Sequence, residues 1–362
     1  MKAAFAIGTR GAGAVWPNPA VGCLLVKGNR VVGRGWTRPG GRPHAEIEAL
    51  ARAGNAAHGA TAYVTLEPCA HHGRSGPCAT ALIAAGVARV VGATTDPDRR
   101  VAGRGYDRLE AAGLAVTRAC LPELAEDAHQ GFFTRIRHGR PMVTLKLAGS
   151  LDGRIATGTG DSRWITGPAA RRQVHALRRN HDAVLVGAGT LLADNPDLRV
   201  RDFGTTCQPV RVVLDRCLRM PPDGRLAQSA RESPVWVLHA KNIDTGRHAA
   251  LAACGVRLFP VACGVRGLDI QATLATLAEQ GLTRVLCEGG GAVAGSLIAA
   301  GYVDRLIAFG AGLVIGAEGR PNFGALGLER LAQAPRFMLE RLCPAGPDVR
   351  ADWRPLPPAA RA

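Results

Sequence analysis

Strand and helix patterns alternate along almost the whole chain, and this alternation limits the fold to the α/β class. The apolar runs Val21–Lys27 and Arg30–Trp36 are joined by Gly28-Asn29, which predicts a β-hairpin. By contrast, His44–Gly54 and Pro122–His138 carry apolar residues at the spacing of helices. Because further strands and helices follow in the same alternation, we expect sheets that are covered by helices.

The alternation is interrupted at Gly139-Arg140-Pro141, where we place a domain boundary. A chain of 362 residues can hold two domains, because one domain usually has about 100–200 residues. We therefore predict a first domain at residues 1–139 and a second at 140–353. The tail 354–362 is rich in Pro, Ala and Arg, and we expect it to be disordered. The two halves show no common repeat, which favours two different functions.

The composition excludes several classes of protein. Hydrophobic residues make up 47% and charged residues 20% of the chain, which excludes a mainly disordered protein. The sequence has no run of about 20 apolar residues, as a transmembrane helix would need. The apolar segment between Lys2 and Arg10 is too short for a secretory signal. We therefore expect a cytoplasmic protein that does not associate with membranes.

The formal net charge of the chain is +16, and it allows two interpretations. It can reflect a compositional bias that is spread over the surface. Alternatively, part of it binds anions, because the guanidinium group of Arg donates paired hydrogen bonds to phosphate oxygens. A phosphorylated substrate, an anionic cofactor and nucleic acid all agree with the charge.

Four residues of the first half form a pattern typical of zinc deaminases. His44 and Glu46 lie at the start of a predicted helix, Cys69 follows a predicted strand, and Cys78 opens the next helix. One imidazole and two thiolates leave the fourth position of a tetrahedral Zn²⁺ ion open for water. Zinc lowers the pKa of that water to about 7, which provides a hydroxide nucleophile at neutral pH. We predict that His44, Cys69 and Cys78 bind zinc and that Glu46 transfers protons.

The segment between the two cysteines and a turn upstream of them are candidates for binding substrate. Eight residues lie between the two cysteines instead of the usual two, and this insert contains His71 and Arg74. These side chains suit a substrate phosphate, although the insert could also be a longer zinc loop without that role. Asn18 lies between two prolines, and its amide can bind a pyrimidine edge, unless the segment is only a turn.

The second half lacks the usual dinucleotide-binding fingerprint. The closest match to G-x-G-x-x-G starts at Gly187 but has Leu192 in the place of the last glycine. The Gly-rich segment 289–296 follows a predicted strand and opens a helix. Backbone N–H groups in such a position bind phosphate well, but the glycines are equally explained by close packing of strand and helix.

Five ionisable residues of the second half are candidates for a site. Lys146, Asp194 and Glu288 could deliver a proton or bind a sugar, or else form a structural ion pair or a helix cap. Arg178 and Arg201 suit a 5′-phosphate, but solvated surface arginines would agree with the sequence equally well.

Taken together, the motifs resemble those of one family. The segments P-N-P-x-V-G, H-A-E and T-L-E-P-C-x-H-H-G-R-x-x-P-C resemble the bifunctional riboflavin-biosynthesis deaminase/reductases, and the likeness covers nearly the whole chain. The resemblance implies an α/β fold with an N-terminal cytidine-deaminase-like α/β/α domain and a C-terminal dihydrofolate-reductase-like α/β domain. It also implies that His44, Cys69 and Cys78 hold zinc. The implied substrate contacts of this domain are Asn18, His71 and Arg74.

The same resemblance implies that the second domain uses NADPH. The residues expected at the cofactor are Ala148, Trp164, Thr190, Asp194, Arg216, Gly290, Gly291, Ala292, Val293, Ala294, Gly295 and Ser296. The residues expected at the reductase substrate are Lys146, Ser162, Arg178, Leu198, Arg201 and Glu288. Family members often have Ser at the position of Arg216, whose guanidinium suits the adenosine 2′-phosphate.

The implied function has two steps. The first domain would deaminate 2,5-diamino-6-hydroxy-4-(5-phosphoribosylamino)pyrimidine by hydrolysis. The second would use NADPH to reduce the ribosyl group of 5-amino-6-(5-phosphoribosylamino)uracil to ribityl. The expected partners are these phosphoribosylated pyrimidines, without nucleic acid or membrane, and a homo-oligomer is allowed.

Two alternative functions remain open on the sequence. The first is a nucleic-acid-editing zinc deaminase whose basic second domain binds RNA. Aromatic residues make up only 4% of the chain, which leaves few surfaces on which flipped-out bases can stack. The second is a non-enzymatic module that zinc stabilises, and it leaves Glu46 without a role.

Overall fold

The computed structural model describes residues 1–71, 76–99, 101–204, 207–265 and 267–356 of the chain. The chain forms two compact units, Met1–Arg140 and Pro141–Ala362. The division falls within the Gly-Arg-Pro segment at which the strand–helix alternation is interrupted.

The first unit is an α/β unit with one five-stranded sheet. Its elements are α1 (Lys2–Gly8), β1 (Gly22–Lys27), β2 (Arg30–Trp36), α2 (Ala45–Ala53), β3 (Thr61–Val64), α3 (Cys78–Ala84), β4 (Arg89–Gly92), α4 (Arg104–Ala111), β5 (Ala115–Thr117) and α5 (Pro122–His138).

The sheet of the first unit has the order β2-β1-β3-β4-β5. Strand β1 is antiparallel to β2 and β3, so the predicted hairpin is confirmed. Strands β3, β4 and β5 run parallel. Since parallel strands end at the same edge, the loop after β3, which contains Cys69, and the loop after β4, which contains Asp96, lie side by side.

The second unit is built on a nine-stranded sheet, with two small two-stranded sheets beside it. Its elements are β6 (Met142–Ser150), β7 (Arg154–Ala156), α6 (Pro168–Arg179), β8 (Ala183–Gly187), α7 (Ala188–Asp194), β9 (Val210–Leu214), α8 (Arg225–Gln228), β10 (Val235–Ala240), α9 (Thr245–Ala253), β11 (Arg257–Val261), β12 (Cys263–Gly264), β13 (Gly267–Leu268), α10 (Ile270–Glu279), β14 (Arg284–Cys287), α11 (Gly291–Ala299), β15 (Arg305–Ala311), β16 (Arg320–Pro321), β17 (Phe337–Ala345) and β18 (Asp348–Pro355).

The large sheet has the order β11-β10-β9-β8-β14-β6-β15-β18-β17. The strands from β11 to β15 in this order run parallel, and β18 and β17 complete the sheet as antiparallel strands. Ligands of open parallel sheets bind at the carboxyl ends of the strands. In this unit Glu288, Arg216 and Lys241 follow such ends, after β14, β9 and β10 respectively.

The prediction of a disordered tail from residue 354 is wrong at its start. Strand β18 continues to Pro355, and Arg354 lies opposite Met338 in the register of β17 and β18. The Nε atom of Arg354 also donates a hydrogen bond of 2.6 Å to Oε1 of Glu340. Backbone pairing and this ion pair therefore extend the sheet beyond the predicted end, while residues 357–362 lie outside the described part.

Helices in both units are short. The longest described helix, α5, has 17 residues. Among the residues that the structure describes, none of the helices combines the length and the apolar character needed to span a bilayer.

Candidate active sites

The three predicted zinc ligands lie together beside the first sheet. The ligand atoms of His44, Cys69 and Cys78 are all within 4.8 Å of one another. Nδ1 of His44 lies 3.7 Å from Sγ of Cys69 and 3.3 Å from Sγ of Cys78. Tetrahedral zinc with Zn–N of about 2.1 Å and Zn–S of about 2.3 Å separates such atoms by roughly 3.6 Å. The three donors therefore fit a zinc ion and supply three of its four ligands.

Local structure places each of these ligands. His44 is the extended residue directly before α2, and Cys78 is the first residue of α3 after Pro77. The backbone N–H of Cys78 donates to Sγ of Cys69 at 3.4 Å. This bond and the positive end of α3 favour the thiolate form of Cys69.

Neighbouring groups and burial shift the pKa values of the residues in this site. A hydrogen bond from the Cys78 thiol lowers the pKa of Cys69, and the bond with Cys69 raises the pKa of His44. Glu46 is only 4% exposed, and burial raises its pKa to about 7. A carboxyl group with this pKa can both accept and donate a proton near neutral pH, as general acid–base catalysis requires.

The zinc ligands open into a cavity of about 150 Å³. Asn18, Glu46 and His71 line this cavity, whereas Arg74 lies outside the described residues. Gly41 has a φ of +81°, and a Cβ atom there would lie 1.9 Å from Nδ2 of Asn18. Glycine at position 41 thus leaves the space in which the Asn18 side chain lies.

Sequence reasoning did not select two acidic residues of this site, Glu67 and Asp96. The buried Glu67 carboxylate accepts the backbone N–H groups of Asp96 at 3.1 Å, Gly103 at 2.9 Å and Gly105 at 2.8 Å. It therefore holds the loop after β4 against the cavity. Asp96 lines the cavity from that loop, and burial raises its pKa to about 7. The available signal was the place of Glu67 in the Glu-Pro-Cys segment that ends at Cys69.

Two arginines on the cavity wall were also not selected. Arg42 lies two residues before His44, and Arg135 lies on the last turns of α5. They bring positive charge to the cavity from elements other than the insert with His71 and Arg74. An anionic substrate group therefore has more than one cationic side chain within its reach.

Three predicted residues of the second unit form a partly buried charged cluster. Arg178 on α6 donates from Nε and Nη2 to the Glu288 carboxylate at 2.6 and 2.9 Å. Burial tends to raise the pKa of Glu288, but the Arg178 guanidinium outweighs it and holds that pKa below its ordinary value. Lys146 on β6 is the second cation of the cluster, and burial lowers its pKa. The ion-pair interpretation of Glu288 is thus confirmed with Arg178 as its partner, and the negative charge of Glu288 partly offsets the effect of burial on the pKa of Lys146.

The cluster opens into a cavity of about 480 Å³ that contains most of the predicted reductase residues. The predicted residues on its wall are Lys146, Ala148, Ser162, Trp164, Arg178, Thr190, Asp194, Leu198, Arg201 and Glu288.

The wall of this cavity carries more positively than negatively charged side chains. Its cationic residues are Lys146, Arg163, Arg171, Arg178, Arg201 and Arg225, and its carboxylates are Asp194, Asp197 and Glu288. The surplus of positive charge suits an anionic ligand.

Among the predicted cofactor residues, Arg216 and the segment 290–296 do not line this cavity. Arg216 lies in a different place. It lines a separate cleft of about 540 Å³ together with Lys241. Both follow carboxyl ends of strands in the large sheet, after β9 and β10 respectively. The sequence alone does not show that Arg216 lies in a separate cleft, because it does not reveal the order of the strands in the sheet.

The Gly-rich segment packs tightly at the start of α11. A Cβ atom on Gly291 would lie 2.8 Å from the carbonyl oxygen of Pro321, and one on Gly295 would lie 3.1 Å from that of Gly324. Close packing therefore explains these two glycines. The backbone N–H of Gly290 donates to Oγ1 of Thr190 at 3.0 Å, which connects the helix start to the cavity wall. Cofactor binding by residues 290–296 remains a prediction.

Comparisons with known proteins agree with this division of the chain. Residues 1–94 match the family model of the cytidine and deoxycytidylate deaminase zinc-binding region, and residues 141–351 match that of the RibD C-terminal domain. The matches confirm the predicted cytidine-deaminase-like and dihydrofolate-reductase-like domains.

Similar proteins match over nearly their full length. The riboflavin biosynthesis protein RibD of Escherichia coli is 42% identical, with 96% of each chain covered. A solved structure of Acinetobacter baumannii RibD has a TM-score of 0.88 at 37% identity and covers 98% of each chain. A Thermotoga maritima structure, described as a diaminohydroxyphosphoribosylaminopyrimidine deaminase/5-amino-6-(5-phosphoribosylamino)uracil reductase, has a TM-score of 0.86 at 32% identity. It covers 98% of this chain and 97% of its own.

The family explains both sites. A zinc-binding deaminase domain accounts for the group formed by His44, Cys69 and Cys78. An NADPH-dependent reductase domain accounts for the second, cation-rich cavity. The chain therefore belongs to the RibD family, the bifunctional deaminase/reductases of riboflavin biosynthesis.

Proposed function

We propose that the first domain hydrolyses 2,5-diamino-6-hydroxy-4-(5-phosphoribosylamino)pyrimidine and that the second domain reduces its product, 5-amino-6-(5-phosphoribosylamino)uracil. In the first reaction water adds to the ring carbon that bears the amine, and the carbon–nitrogen bond breaks to release ammonia. In the second, a hydride adds to C1 of the opened ribosyl imine and a proton adds to its nitrogen, which gives the ribityl chain. The observation that carries the proposal is that one chain holds both a three-ligand metal site beside a buried carboxyl group and a cation-rich cavity.

In the first domain, the proposed roles follow from burial and position. Zinc bound by His44, Cys69 and Cys78 supplies Lewis-acid activation of a water nucleophile. Glu46 accepts the proton that the water gives up and donates it to the leaving nitrogen, because it is buried beside the ligands.

Substrate binding in this domain is assigned to the cavity wall. Asn18 binds the pyrimidine edge, because its amide offers a donor and an acceptor inside the cavity. His71, Arg42 and Arg135 face the phosphoribosyl group from three elements of the wall. Arg74 is proposed for the same group from its place in the sequence.

In the second domain, NADPH supplies the hydride. Lys146 donates a proton to the imine nitrogen as the hydride adds to C1, because burial lowers its pKa toward the range of general acids. Glu288 fixes the Arg178 guanidinium by two hydrogen bonds. Arg178 and Arg201 then bind the substrate phosphate, and Ser162 and Leu198 contact the rest of the substrate.

The cofactor is assigned to the same cavity. Trp164 is 71% exposed, and the guanidinium of Arg171 lies 4.4 Å from the centre of its ring. This flat surface, together with Ala148, Thr190 and Asp194, suits the nicotinamide half of NADPH. The backbone N–H groups at the start of α11, in segment 290–296, suit its pyrophosphate.

Arg216 and Lys241 are proposed to bind the 2′-phosphate that distinguishes NADPH from NADH. Their cleft follows β9 and β10, which are the next strands after β8 on the same carboxyl edge. Adjacent strands are about 4.8 Å apart, so an extended nucleotide whose nicotinamide half lies in the main cavity can reach this cleft.

The double variant Arg216→Gln/Lys241→Gln should raise the KM for NADPH at least about tenfold and leave the KM for NADH unchanged. One charge-assisted hydrogen bond contributes about 1.5–3 kcal/mol, which corresponds to about 10- to 150-fold in affinity. Initial rates with each cofactor measure the effect. Arg219→Gln provides the control, because Arg219 is exposed and does not line the cleft. An equal rise of KM for both cofactors would contradict the assignment.

The proposed function is tested by giving the purified enzyme the phosphoribosylated diaminopyrimidinone together with NADPH. Ammonia release and NADPH oxidation are followed in parallel. We expect ammonia first and then one NADPH oxidised per ammonia released, because the second domain acts on the product of the first. Ammonia release without any NADPH oxidation, or oxidation that precedes ammonia, would contradict the proposed sequence of reactions.

We further propose that the enzyme acts on free metabolites in the cytoplasm and not on nucleic acid. The match of residues 141–351 to the RibD C-terminal domain supports a reductase, and not an RNA-binding module, beside the deaminase domain. The competing function predicts strong RNA binding that weakens steeply with added salt. A binding titration with RNA at physiological salt separates the two functions.

A further inference from the structure

His175 lies on the wall of the reductase cavity, beside both arginines that are proposed to bind the substrate phosphate. It stands three residues before Arg178 on α6, and residues at this spacing are neighbours on one face of a helix. Its Nδ1 atom accepts a hydrogen bond of 3.2 Å from the backbone N–H of Arg201. His175 therefore adjoins one arginine and is bonded to the segment that carries the other.

The hydrogen bond with Arg201 determines which nitrogen of the ring carries the proton. A backbone N–H is always the donor, so Nδ1 of His175 is the acceptor and has no proton. The ring is then neutral, and its single N–H group is at Nε2. His175 thus has one donor that the contact with Arg201 does not use.

The surroundings of His175 favour this neutral ring. Burial lowers the pKa of His175, which is only 8% exposed, and the positive charges of Arg178 and Arg201 lower it further. The carboxylates of Glu288 and Asp202 act in the opposite direction but do not outweigh these effects. The ring therefore stays uncharged near neutral pH.

The Nε2–H group of His175 is available to a ligand. In the described ranges of the chain, no side chain or backbone group forms a hydrogen bond with this nitrogen. The atom also keeps some contact with solvent, since it is not one of the fully buried polar atoms that lack a partner. Because the Nδ1 side of the ring is bonded to the Arg201 segment, the Nε2 side is the one that a ligand in the cavity can meet.

The neighbouring Arg178 cannot satisfy a phosphate group by itself. Its guanidinium has five N–H groups, of which two donate to Glu288 and a third donates to the carbonyl oxygen of Arg199. A phosphate monoester presents three strongly accepting oxygen atoms. Donors beyond those left on Arg178 are therefore needed, and the neutral imidazole of His175 adds one without a further positive charge.

We propose that the Nε2–H group of His175 donates a hydrogen bond to the 5′-phosphate of the reductase substrate. A dephosphorylated substrate has no atom at that place to accept the bond, so His175 contributes to the selection of the phosphorylated form. The inference rests on the proposed function of the second domain.

Two substitutions separate phosphate binding from a purely structural role of His175. In His175→Asn the amide oxygen can take the place of Nδ1 and keep the bond to Arg201, but the side chain is too short to place a donor at the position of Nε2. In His175→Gln the amide nitrogen can take the place of Nε2, but the acceptor for the Arg201 N–H is lost. Phosphate binding by His175 therefore makes glutamine the better replacement, whereas a structural role alone makes asparagine the better one.

The experiment measures KM and kcat of the full-length variants with 5-amino-6-(5-phosphoribosylamino)uracil and saturating NADPH. We expect His175→Asn to raise the KM about tenfold, because a hydrogen bond to a charged group is lost. Its kcat should stay within about twofold of the wild type, since the bond lies away from the reacting atoms. His175→Gln should keep the KM within about threefold of the wild type.

The dephosphorylated substrate provides the second readout. Its kcat/KM should be the same in His175→Asn and in the wild type, because neither enzyme can form the phosphate bond with it. Where its turnover is too slow to follow, its inhibition constant against the phosphorylated substrate gives the same comparison.

Arg172→Gln is the matched control. Arg172 lies on the same helix as His175, but it is exposed and does not line the cavity. This variant should keep the wild-type KM for the phosphorylated substrate, although it loses a positive charge. Thermal unfolding followed by circular dichroism shows which variants fold, and each of the two His175 variants tests the proposal without the other.

Three results would overturn the proposal. The first is a folded His175→Asn variant with the KM of the wild type. The second is an equal fall of kcat/KM for the phosphorylated and the dephosphorylated substrate, because His175 then acts only on the shape of the cavity. The third is a higher KM in His175→Gln than in His175→Asn, because the bond to Arg201 is then the one that matters. A wild type that does not reduce the phosphorylated substrate with NADPH would refute the proposed function itself, and this inference with it.

Discussion

Replacing Glu46 by glutamine should lower the rate of ammonia release about a thousandfold, because general acid–base catalysis contributes about 10²- to 10⁴-fold. Glutamine has nearly the same shape as glutamate but cannot take up the proton that the attacking water gives up. Metal content should stay at one zinc ion per chain, since the ligands are His44, Cys69 and Cys78. Ammonia release is measured together with zinc by elemental analysis.

Glu48→Gln provides the control for this experiment. Glu48 lies on the same helix, but its carboxylate forms surface ion pairs with Arg52 and Arg38. Such pairs contribute little, so the control should release ammonia at the wild-type rate. Deamination that persists in Glu46→Gln with zinc bound would remove Glu46 from the mechanism, and loss of zinc would show that it supports the metal site instead.

Replacing Lys146 by methionine should lower the rate of ribosyl reduction about a hundredfold or more, because one general acid is lost. Methionine keeps the length and the burial of the side chain, and the Arg178–Glu288 pair remains intact. Deamination in the first domain should stay at the wild-type rate. Both rates are measured on the full chain, each with its own substrate.

The pH profile of reduction distinguishes proton donation from a structural role of Lys146. Burial lowers the pKa of Lys146, and a general acid works only in its protonated form. The wild-type rate should therefore fall as the pH rises through this lowered pKa, whereas the residual rate of Lys146→Met should not show that fall. Lys27→Met, at an exposed lysine of the first unit, should change neither rate. A Lys146→Met profile with the wild-type shape would contradict the role.

The sequence was sufficient to predict those parts of the sites that local structure determines. His44 and Cys78 lie at helix starts and Cys69 follows a strand, so the order of elements alone brought the three ligands to one place. Lys146 and Glu288 were candidates because they are ionisable, and Thr190 was expected only from the family resemblance. All three line the same cavity.

The parts that could not be predicted depend on contacts between distant segments. Glu67 acts through the backbone N–H groups of Asp96, Gly103 and Gly105, which carry no side-chain signature in the sequence. The separate cleft of Arg216 depends on the strand order of the sheet. The end of β18 was missed because Arg354 is held by pairing with β17, although its neighbours have the composition of a loose tail.

The unequal charges around the reductase cavity have a kinetic consequence. An excess of cationic side chains attracts a doubly charged phosphate ester before it touches the wall, over a distance of about 8 Å at physiological ionic strength. Capture of the substrate by diffusion is thereby accelerated. The same attraction slows the departure of the ribityl phosphate, which keeps its charge after reduction. Added salt should therefore slow the binding of substrate and speed the release of product. The turnover of this domain should consequently depend on ionic strength.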